Sequence, residues 1–460
     1  MAKKKGISAS PFVPVEEQPY SIPENWCWVK LSALSCMISK GTTPTGGKNA
    51  YIDTGVNFVR VENLNDDGTI SHENIAHIAE NVHSGFLKRS TLQENDILIS
   101  IAGTLGKTGI VRDIDLPLNT NQALAFVRIS SQEIVTKYIK SAIDSTIIQE
   151  ILLGKTKVTS IPNLTLEIIS NCPIPLSPVS EQQRIIDLIE SLFAKLDEAK
   201  ERAQAVVDGF ELRKSAILHK AFTGELTERW RKEHGIQIES WKTKPLVEIA
   251  SLQTGLMKGK RYEGETTFLP YLRVANVQDG FLDLTEIKEI EVSTSNVSRY
   301  LLKKGDVLFT EGGDFDKLGR GTVWEEEIPN CLHQNHIFVV RPHESALNSY
   351  FLSYQAGSKY GKTYFLSCSK QTTNLASINS TQLKGFPVKL PSLSEQLQIV
   401  SIIDDLIDRE NQARIAAEAV LAQIDTMKKS ILARAFRGEL GTNDPTEESA
   451  AELLKSAAGA

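Results

Sequence analysis

The chain is short of the residues that covalent chemistry and export need. Its five cysteines, Cys27, Cys36, Cys172, Cys331 and Cys368, form no Cys-x-x-Cys pair. An odd, scattered set of thiols reads as reduced and structural, and argues against a disulfide framework or a zinc cluster. No apolar run reaches the ~18 residues that a membrane span requires. The basic start, Lys3-Lys4-Lys5, is not followed by the apolar stretch of a secretory leader. The expectation is a cytoplasmic protein. Excess positive charge is also missing: 51 Lys and Arg stand against 57 Asp and Glu, a net charge of -6. Residues 20–175 carry 13 basic and 15 acidic side chains, and residues 241–390 carry 18 and 16. Neither half could hold nucleic acid by bulk electrostatics; basic groups would have to be locally clustered, or other subunits would have to hold the phosphates.

The usual catalytic signatures are absent too. Gly103-Thr-Leu-Gly106-Lys107-Thr108 fails as a phosphate loop, because the glycine needed five residues before Gly106 is Ile101. Gly41-Thr-Thr-Pro-Thr-Gly46-Gly47-Lys48 fails because Gly47 displaces the lysine. Glycines after a buried strand, as here and at Gly312-Gly313 and Gly319-Arg320-Gly321, suit either a tight turn or a close backbone approach to a ligand. His333-Gln334-Asn335-His336 offers at most two metal ligands, with no carboxylate or thiol cluster beside it. Glu286-Ile287-Lys288 looks like the tail of a nuclease triad but has no Pro-Asp partner. No Asn-Pro-Pro-Tyr-like methyltransferase motif, dinucleotide fingerprint or Ser-His-Asp arrangement stands out.

What is present is a duplication. Ser180-Glu181-Gln182 returns as Ser394-Glu395-Gln396, and Phe222-Thr-Gly-Glu-Leu226 returns as Phe436-Arg-Gly-Glu-Leu440, both 214 residues on. Ile217-Leu218, Lys220 and Ala221 recur at the same offset as Ile431-Leu432, Arg434 and Ala435. An uninterrupted spacing demands one fixed length of regular structure in each copy. At 460 residues, with 41% hydrophobic and 23% charged residues, there is room for two to four domains with real cores. Two copies in one chain suggest a pseudo-twofold suited to a two-part target or partner.

The spacing predicts helices over 180–222 and 395–436. Ile185, Ile189, Leu192, Leu196, Ala199, Ala203, Val206, Phe210 and Ile217 alternate by fours and threes, the heptad of a coiled coil. Adding 214 gives Ile399, Ile403, Leu406, Glu410, Ala413, Ala417, Val420, Ile424 and Ile431, with Glu410 in place of Leu196. Ser180 with Gln183 fits a capping box, Ser392 or Ser394 can cap the second helix, and Gly224 and Gly438 stand where left-handed terminators belong. Some 40 residues make a helix about 60 Å long. One apolar stripe needs a partner, so the expectation is an antiparallel pair with Ala199, Ala203, Ala413 and Ala417 near its middle. The alternative is that each helix packs on its own globular domain.

A second, more diverged repeat surrounds these helices. Trp26 and Leu31 match Trp241 and Leu246. Phe58-Val-Arg60-Val-Glu-Asn63 matches Tyr271-Leu-Arg273-Val-Ala-Asn276; Asp96-Ile-Leu-Ile99 matches Asp306-Val-Leu-Phe309; Phe126-Val-Arg128 matches Val339-Val-Arg341. These short apolar runs between Gly, Asn and Asp read as buried strands joined by turns. The fold class expected is mixed α/β (α+β): two domains with small β cores, separated by two long helices. The boundaries expected are a tail over 1–19, a domain over 20–178, a helical region and linker over 179–240, a second domain over 241–392, a second helical region over 393–440 and a polar tail over 441–460. Ala450–Ala458 could form a short helix.

The scaffold strands agree between copies while the loops do not, as when one fold recognises two different things. Polar groups gather at matching loop places: Lys40, Thr42, Thr43 and Lys48 against Lys258, Lys260 and Arg261; Asn119, Asn121 and Gln122 against His333, Gln334 and Asn335; Lys155, Thr156 and Lys157 against Lys370, Gln371 and Thr372; and one cation, Lys107 or Arg320, beside the glycines. Asn and Gln can pair with adenine, Arg and Lys with guanine, and Thr and Lys also serve phosphate. Taken singly, each reads first as an ordinary solvated loop residue; the recurrence is what makes them candidates.

Together the paired Ser-Glu-Gln starts after Pro173-Ile-Pro-Leu-Ser-Pro178 and Pro387-Val-Lys-Leu-Pro-Ser392, the paired Ala-Phe-x-Gly-Glu-Leu ends, Gly41-Thr-Thr-Pro44 and Asp96-Ile-Leu-Ile-Ser-Ile-Ala-Gly103 resemble the specificity subunit of type I restriction–modification systems, over roughly residues 20–440. Gly255-Leu-Met-Lys258 departs from the pattern in lacking the proline that follows Gly41. The resemblance implies two target-recognition domains, each reading one half of a bipartite, asymmetric site in double-stranded DNA, with the helices as a spacer and as docking ground for two methyltransferase subunits. It implies no catalysis and no cofactor for this chain, since S-adenosylmethionine, ATP and Mg belong to partner methyltransferase and restriction/translocase subunits, and no membrane role. The competing readings are a duplicated coiled-coil adaptor without DNA specificity and a self-contained methyltransferase or nuclease.

Overall fold

The computed structural model describes residues 10–154, 163–257, 259, 263–313, 318–319, 321–371, 376–452 and 454. The chain divides into two compact units, residues 1–202 with 420–460 and residues 203–419. The division runs through both long helices, so each unit takes one stretch of each, where the sequence suggested boundaries at the helix ends.

Each unit repeats three sheets, and among the described residues the second adds a small one of Gly312–Gly313, Ala376–Ser377 and Lys370–Gln371. In the first, Ser35–Lys40, Leu124–Ile129, Ile97–Ser100 and Thr108–Ile110 lie side by side in that order, all antiparallel. In the second, Ala250–Thr254, Ile337–Pro342, Val307–Thr310 and Gly321–Val323 do the same. A three-stranded sheet accompanies each: Ala76–Ile78, Val56–Val59, Leu118–Thr120 in one, and Lys288–Ser293, Thr266–Leu272, Leu332–His333 in the other, the last pair parallel in both. A third, two-stranded pairing joins domain entry to exit, Cys27–Lys30 with Pro173–Leu176 and Lys242–Pro245 with Pro387–Leu390. The recurring sequence anchors are the inner strands. Ile97, Leu98 and Ile99 and their neighbours Ala125, Phe126 and Val127 are fully buried, as are Val307, Leu308 and Phe309 beside Val340.

The charged ends of those anchors explain why they recur. Asp96 is fully buried, and the Arg128 guanidinium donates to both of its oxygens at 2.8 and 2.7 Å. Asp306 and Arg341 repeat the fork at 2.7 Å on each arm. A bidentate pair is the economical way to keep an aspartate inside a sheet, since its lone pairs are otherwise left without donors.

The long helices run Val179–Asp208, Phe210–Thr223 and Leu393–Ala435. Gly209 separates the first two; the C-terminal helix, with Gln423 at the equivalent place, is continuous. Within each unit the helices lie antiparallel against each other. In the first unit Lys428 Nζ meets Asp197 at 2.5 Å and lies over the Phe193 ring, while Ile185, Ile186 and Ile189 share a core with Leu432, Ala435 and Phe436. In the second, Arg213 Nε donates to Glu410 at 2.6 Å, Arg414 covers Phe210, and Leu218, Ala221 and Phe222 share a core with Ile399, Val400 and Ile403. Glu410, the one polar intruder in the predicted seam, therefore has its partner. The two packing alternatives are both partly right: the helix ends also plug into the domains, Phe436 edge-on to Tyr138 at 5.2 Å and Phe222 edge-on to Phe351 at 5.4 Å.

Several sequence expectations are corrected. In the seam, Ala413 and Val420 face solvent, and Arg414 and Leu421 take the inward places. Neighbouring helical positions differ by ~100°, and in Ala413-Arg-Ile-Ala-Ala417 bulk does not mark the buried face, since the large Ile415 is exposed and the small Ala417 is buried. Ser180 is no cap; it lies inside the helix and donates to Glu447, while Ser392 caps the second helix by accepting from the Glu395 N–H. Gly224 and Gly438 are left-handed as expected, at φ 84° and 74°. Within the expected tails, the described residues are held to the domain. Val13 and Lys30 tie the N-terminal segment to Trp28 and Pro11. The segment after Gly441 docks through Thr442, Asn443 and Glu447, with Ala450 and Leu454 buried. Thr442 and Asn443 read as a tail because the acidic group that they serve, Glu181, is 261 and 262 positions away in sequence.

The seam correction is directly testable. Ala417→Glu should cost roughly 2–4 kcal/mol in chemical unfolding, by burying an unpaired carboxylate. Ala413→Glu should stay within about 0.5 kcal/mol of the parent.

Candidate nucleic-acid interface

In each domain, loop candidates gather where an edge strand of the four-stranded sheet and the parallel edge strand of the three-stranded sheet end. In the first domain, Gly41 follows the strand Ser35–Lys40 and lies so close to the chain that a Cβ there would overlap the carbonyl oxygens of Thr120 and Asn121. The Thr42 N–H donates to Thr120 O at 3.0 Å. In the second domain Gly255 has the same place: a Cβ would overlap the carbonyls of His333 and Gln334, and the Leu256 N–H donates to His333 O at 2.9 Å. The proline that follows Gly41 is thus dispensable for placing the loop; the backbone-to-backbone approach that only glycine permits is what both copies keep.

Around this junction the candidates separate. Lys40, Thr43 and Gln122 are exposed, and Thr42 accepts from Arg89 Nη2 at 3.4 Å. Lys48 lies in the short turn Gly47–Ala50. Asn121 is half-buried, its Oδ1 accepting the Ala123 N–H at 3.0 Å. Gln334 and Asn335 are half-buried at the matching place, and Lys370 is exposed in the short strand that also holds Gln371. Lys155, Lys157, Lys258, Lys260, Arg261 and Arg320 lie outside the described residues.

Two candidates, Asn119 and His333, are fully buried and belong to the scaffold instead. Asn119 is fully buried; its Nδ2 donates to Leu87 O at 3.1 Å and its Oδ1 accepts the Thr120 N–H at 2.9 Å. It stitches the loop to the core and has no face left for a base. Lys107 is half-buried and paired with Asp66 at 3.0 Å, and its glycine neighbours Gly103 and Gly106 are left-handed residues of a strand-connecting turn. His333 is fully buried, with Nδ1 3.2 Å from Ile337 O and Nε2 left without a hydrogen-bond partner among the described residues. Burial pushes its pKa down to about 4. It therefore stays neutral in the fold. Sequence reasoning passed over Arg89, which carries no repeat signal, and Arg60 and Arg273, which do, inside Arg-Val-x-Asn.

Behind the loops, the Ser-Glu-Gln motif proves to be architecture. Glu181 is fully buried and accepts from Trp26 Nε1 at 2.7 Å, Asn443 Nδ2 at 3.0 Å and Thr442 Oγ1 at 3.1 Å. Glu395 accepts from Arg231 Nη1 at 2.7 Å, Thr227 Oγ1 at 2.8 Å and Trp241 Nε1 at 3.0 Å. Gln182 and Gln396 each accept a main-chain N–H of their own domain, from Val135 at 3.1 Å and Asn348 at 2.9 Å.

The sequence profile of the type I restriction modification DNA specificity domain matches residues 23–207 and again residues 238–419. The chain belongs to that family. It is a type I restriction–modification specificity subunit with two tandem specificity domains. Among known relatives, it is 25% identical over 429 residues to the type I restriction enzyme EcoKI specificity subunit of Escherichia coli strain K12, covering 91% of this chain and 90% of that one. The EcoBI specificity subunit of Escherichia coli is 30% identical over 300 residues, 62% of each chain. In fold, the specificity subunit is similar to the HsdS subunit from Thermoanaerobacter tengcongensis, with a TM-score of 0.63 at 19% identity, covering 93% of this chain and all of that one. Among the described residues, no helix is long and apolar enough to cross a membrane.

The neutral burial of His333 gives the second domain a pH response. With a folded pKa near 4, below the ordinary value of about 6.5, its contribution is fully present above pH 6.5. It is lost as pH falls through 6.5 toward 4, approaching about 3 kcal/mol. Unfolding measured from pH 7 to pH 4 should show a shallower loss in a His333→Gln variant than in the parent.

Proposed function

We propose that this specificity subunit reads DNA in two separate pieces, each domain recognising one half of a bipartite, asymmetric target, and that it performs no chemistry itself. The observation that carries the reading is one scaffold built twice, with the same buried anchors, glycine junctions and strand order, supporting loops that share almost no sequence. A repeated scaffold with unlike loops is suited to two different half-sites. Exposed Thr43 and Gln122 in one domain, with Gln334 and Asn335 in the other, supply groups that can meet base edges or phosphate. The loop candidates Lys155, Lys157, Lys258, Lys260, Arg261 and Arg320 remain part of this proposal.

The helical pair serves as the spacer. The uninterrupted helix Leu393–Ala435 has 43 residues, about 65 Å at 1.5 Å per residue, enough to span the ~34 Å between sites one turn apart on duplex DNA. The same helices dock two methyltransferase subunits. These bring S-adenosylmethionine and the catalytic site, and restriction/translocase subunits add ATP and Mg chemistry. The net charge of -6 fits a subunit whose partners supply much of the phosphate attraction.

Two outcomes test this. Replacing residues 20–178 by another such domain should change one half of the sequence methylated by the assembled complex and leave the other half intact; a change in both halves would reject modular reading. Inserting one heptad in each long helix should move the preferred spacer length with both half-sites unchanged, read from methylation over a spacer series. An unchanged optimum would reject the spacer role.

A further inference from the structure

Two arginines outside the loop candidates hold the same place in both domains. Arg60 follows the strand Val56–Val59, and Arg273 follows Leu272, the last residue of its strand. In each case the parallel neighbour strand leads straight into a candidate reading loop. Val59 pairs with Thr120, which precedes Asn121 and Gln122; Leu272 pairs with His333, which precedes Gln334 and Asn335. The main chain at both arginines is pinned alike. Asn63 Oδ1 accepts the Arg60 N–H at 3.0 Å, Asn276 Oδ1 accepts the Arg273 N–H at 2.8 Å, and both asparagines are buried.

The guanidinium groups are less well served than the backbone. Arg60 Nε and Arg273 Nε are both shielded from solvent and both lack a hydrogen-bond acceptor among the described residues. Glu62 approaches Arg60 Nε at 3.2 Å as an ion pair without forming a hydrogen bond, and Arg273 Nη2 donates to Glu286, through its main-chain oxygen at 3.0 Å and its carboxylate at 3.2 Å. Both carboxylates are largely exposed, at 61% and 65%, so exchanging them for another anion costs little. A shielded donor without a well-aligned acceptor carries a desolvation cost. The same deficit recurs in two domains that diverged elsewhere, and displacing the exposed carboxylate opens each guanidinium to an acceptor from outside the chain.

We infer that Arg60 and Arg273 each grip a phosphate of the DNA backbone, one in each half-site. The inference rests on the DNA reading above and deepens it. A base is the poorer choice, because the two domains carry unlike loops while the arginine is the same; what two different half-sequences share is their phosphates. A guanidinium matches phosphate in a planar, two-pronged way, and such contacts set the position of a domain on the duplex without reading sequence. Arg60 and Arg273 are then positioning residues, and the loops beside them read.

The test uses the assembled methyltransferase complex, with Arg60→Gln, Arg273→Gln, Arg60→Lys and Glu62→Gln in this subunit. Binding is measured to a duplex bearing the mapped target and to a scrambled duplex of equal length, over a salt series. Each Gln variant should weaken both duplexes about tenfold and reduce the slope of log affinity against log salt by about one. The methylated sequence should stay the same, Arg60→Lys should keep the salt slope, and Glu62→Gln, which removes a competing anion, should tighten both duplexes. A changed methylated sequence would mean a base contact and overturn the inference. So would unchanged affinity and slope in a complex that assembles normally; should a Gln variant fail to assemble, no tightening by Glu62→Gln overturns it as well. If the parent complex itself does not prefer its target to the scrambled duplex, it is the DNA-reading function that fails, and not the phosphate contact alone.

Discussion

A glutamate with no access to water governs the assembly of each unit. Glu181 and Glu395 are fully buried, and a carboxylate in that position must find protein donors or leave the interior. Its donors come from separate stretches of chain: the tryptophan at the domain's entry, and the segment that follows the opposite long helix. One side chain thereby ties together the start of a helix, the mouth of a domain and the exit of another helix. The neighbouring glutamine fastens the same helix start to the domain's main chain. Both ends of a helix so anchored are fixed, and its length cannot drift without detaching one of them. The constant spacing between Ser-Glu-Gln and Gly-Glu-Leu in the two copies follows from this.

Above that frame the domains divide labour between parts that hold and parts that vary. The forks Asp96–Arg128 and Asp306–Arg341 lock the inner strands, and Gly41 and Gly255 bring the next loop against the neighbouring main chain. Neither device depends on which side chains the loop carries. Loops can therefore change without disturbing the sheet behind them, which is the condition for one fold to serve many targets.

The helices, the inner strands and the duplicated plan were legible in the sequence because each rests on periodicity or on a repeat of bulky residues. Ile185, Ile189, Ile399 and Ile403 announce their faces through volume; Ala413 and Val420 do not, since the large residues beside them point both ways, Leu421 inward and Ile415 to solvent. Asn119 lies within the strand Leu118–Thr120, and an asparagine beside an apolar run looks the same in sequence whether it faces solvent or stitches a strand to its neighbour. The docked segment after Gly441 was unreadable for a different reason: its partners Asn25, Glu181 and Arg184 are remote in sequence. Long-range polar pairing leaves no local pattern. Among the site residues, the positions of the loops were legible, and the accessibility of single side chains within them was not.

The ion pair between Arg213 and Glu410 has a further consequence. Two antiparallel heptad helices made only of aliphatic groups could slide by seven residues and still bury a comparable surface. Such a slide here would carry Glu410 from its guanidinium to the level of Val206 or Lys220, and would strip Arg213 of its carboxylate while its Nη2 still capped the Val206 carbonyl beside Gly209. The pair works as a key cut into an otherwise greasy shaft, admitting one alignment and penalising its neighbours by a stranded charge.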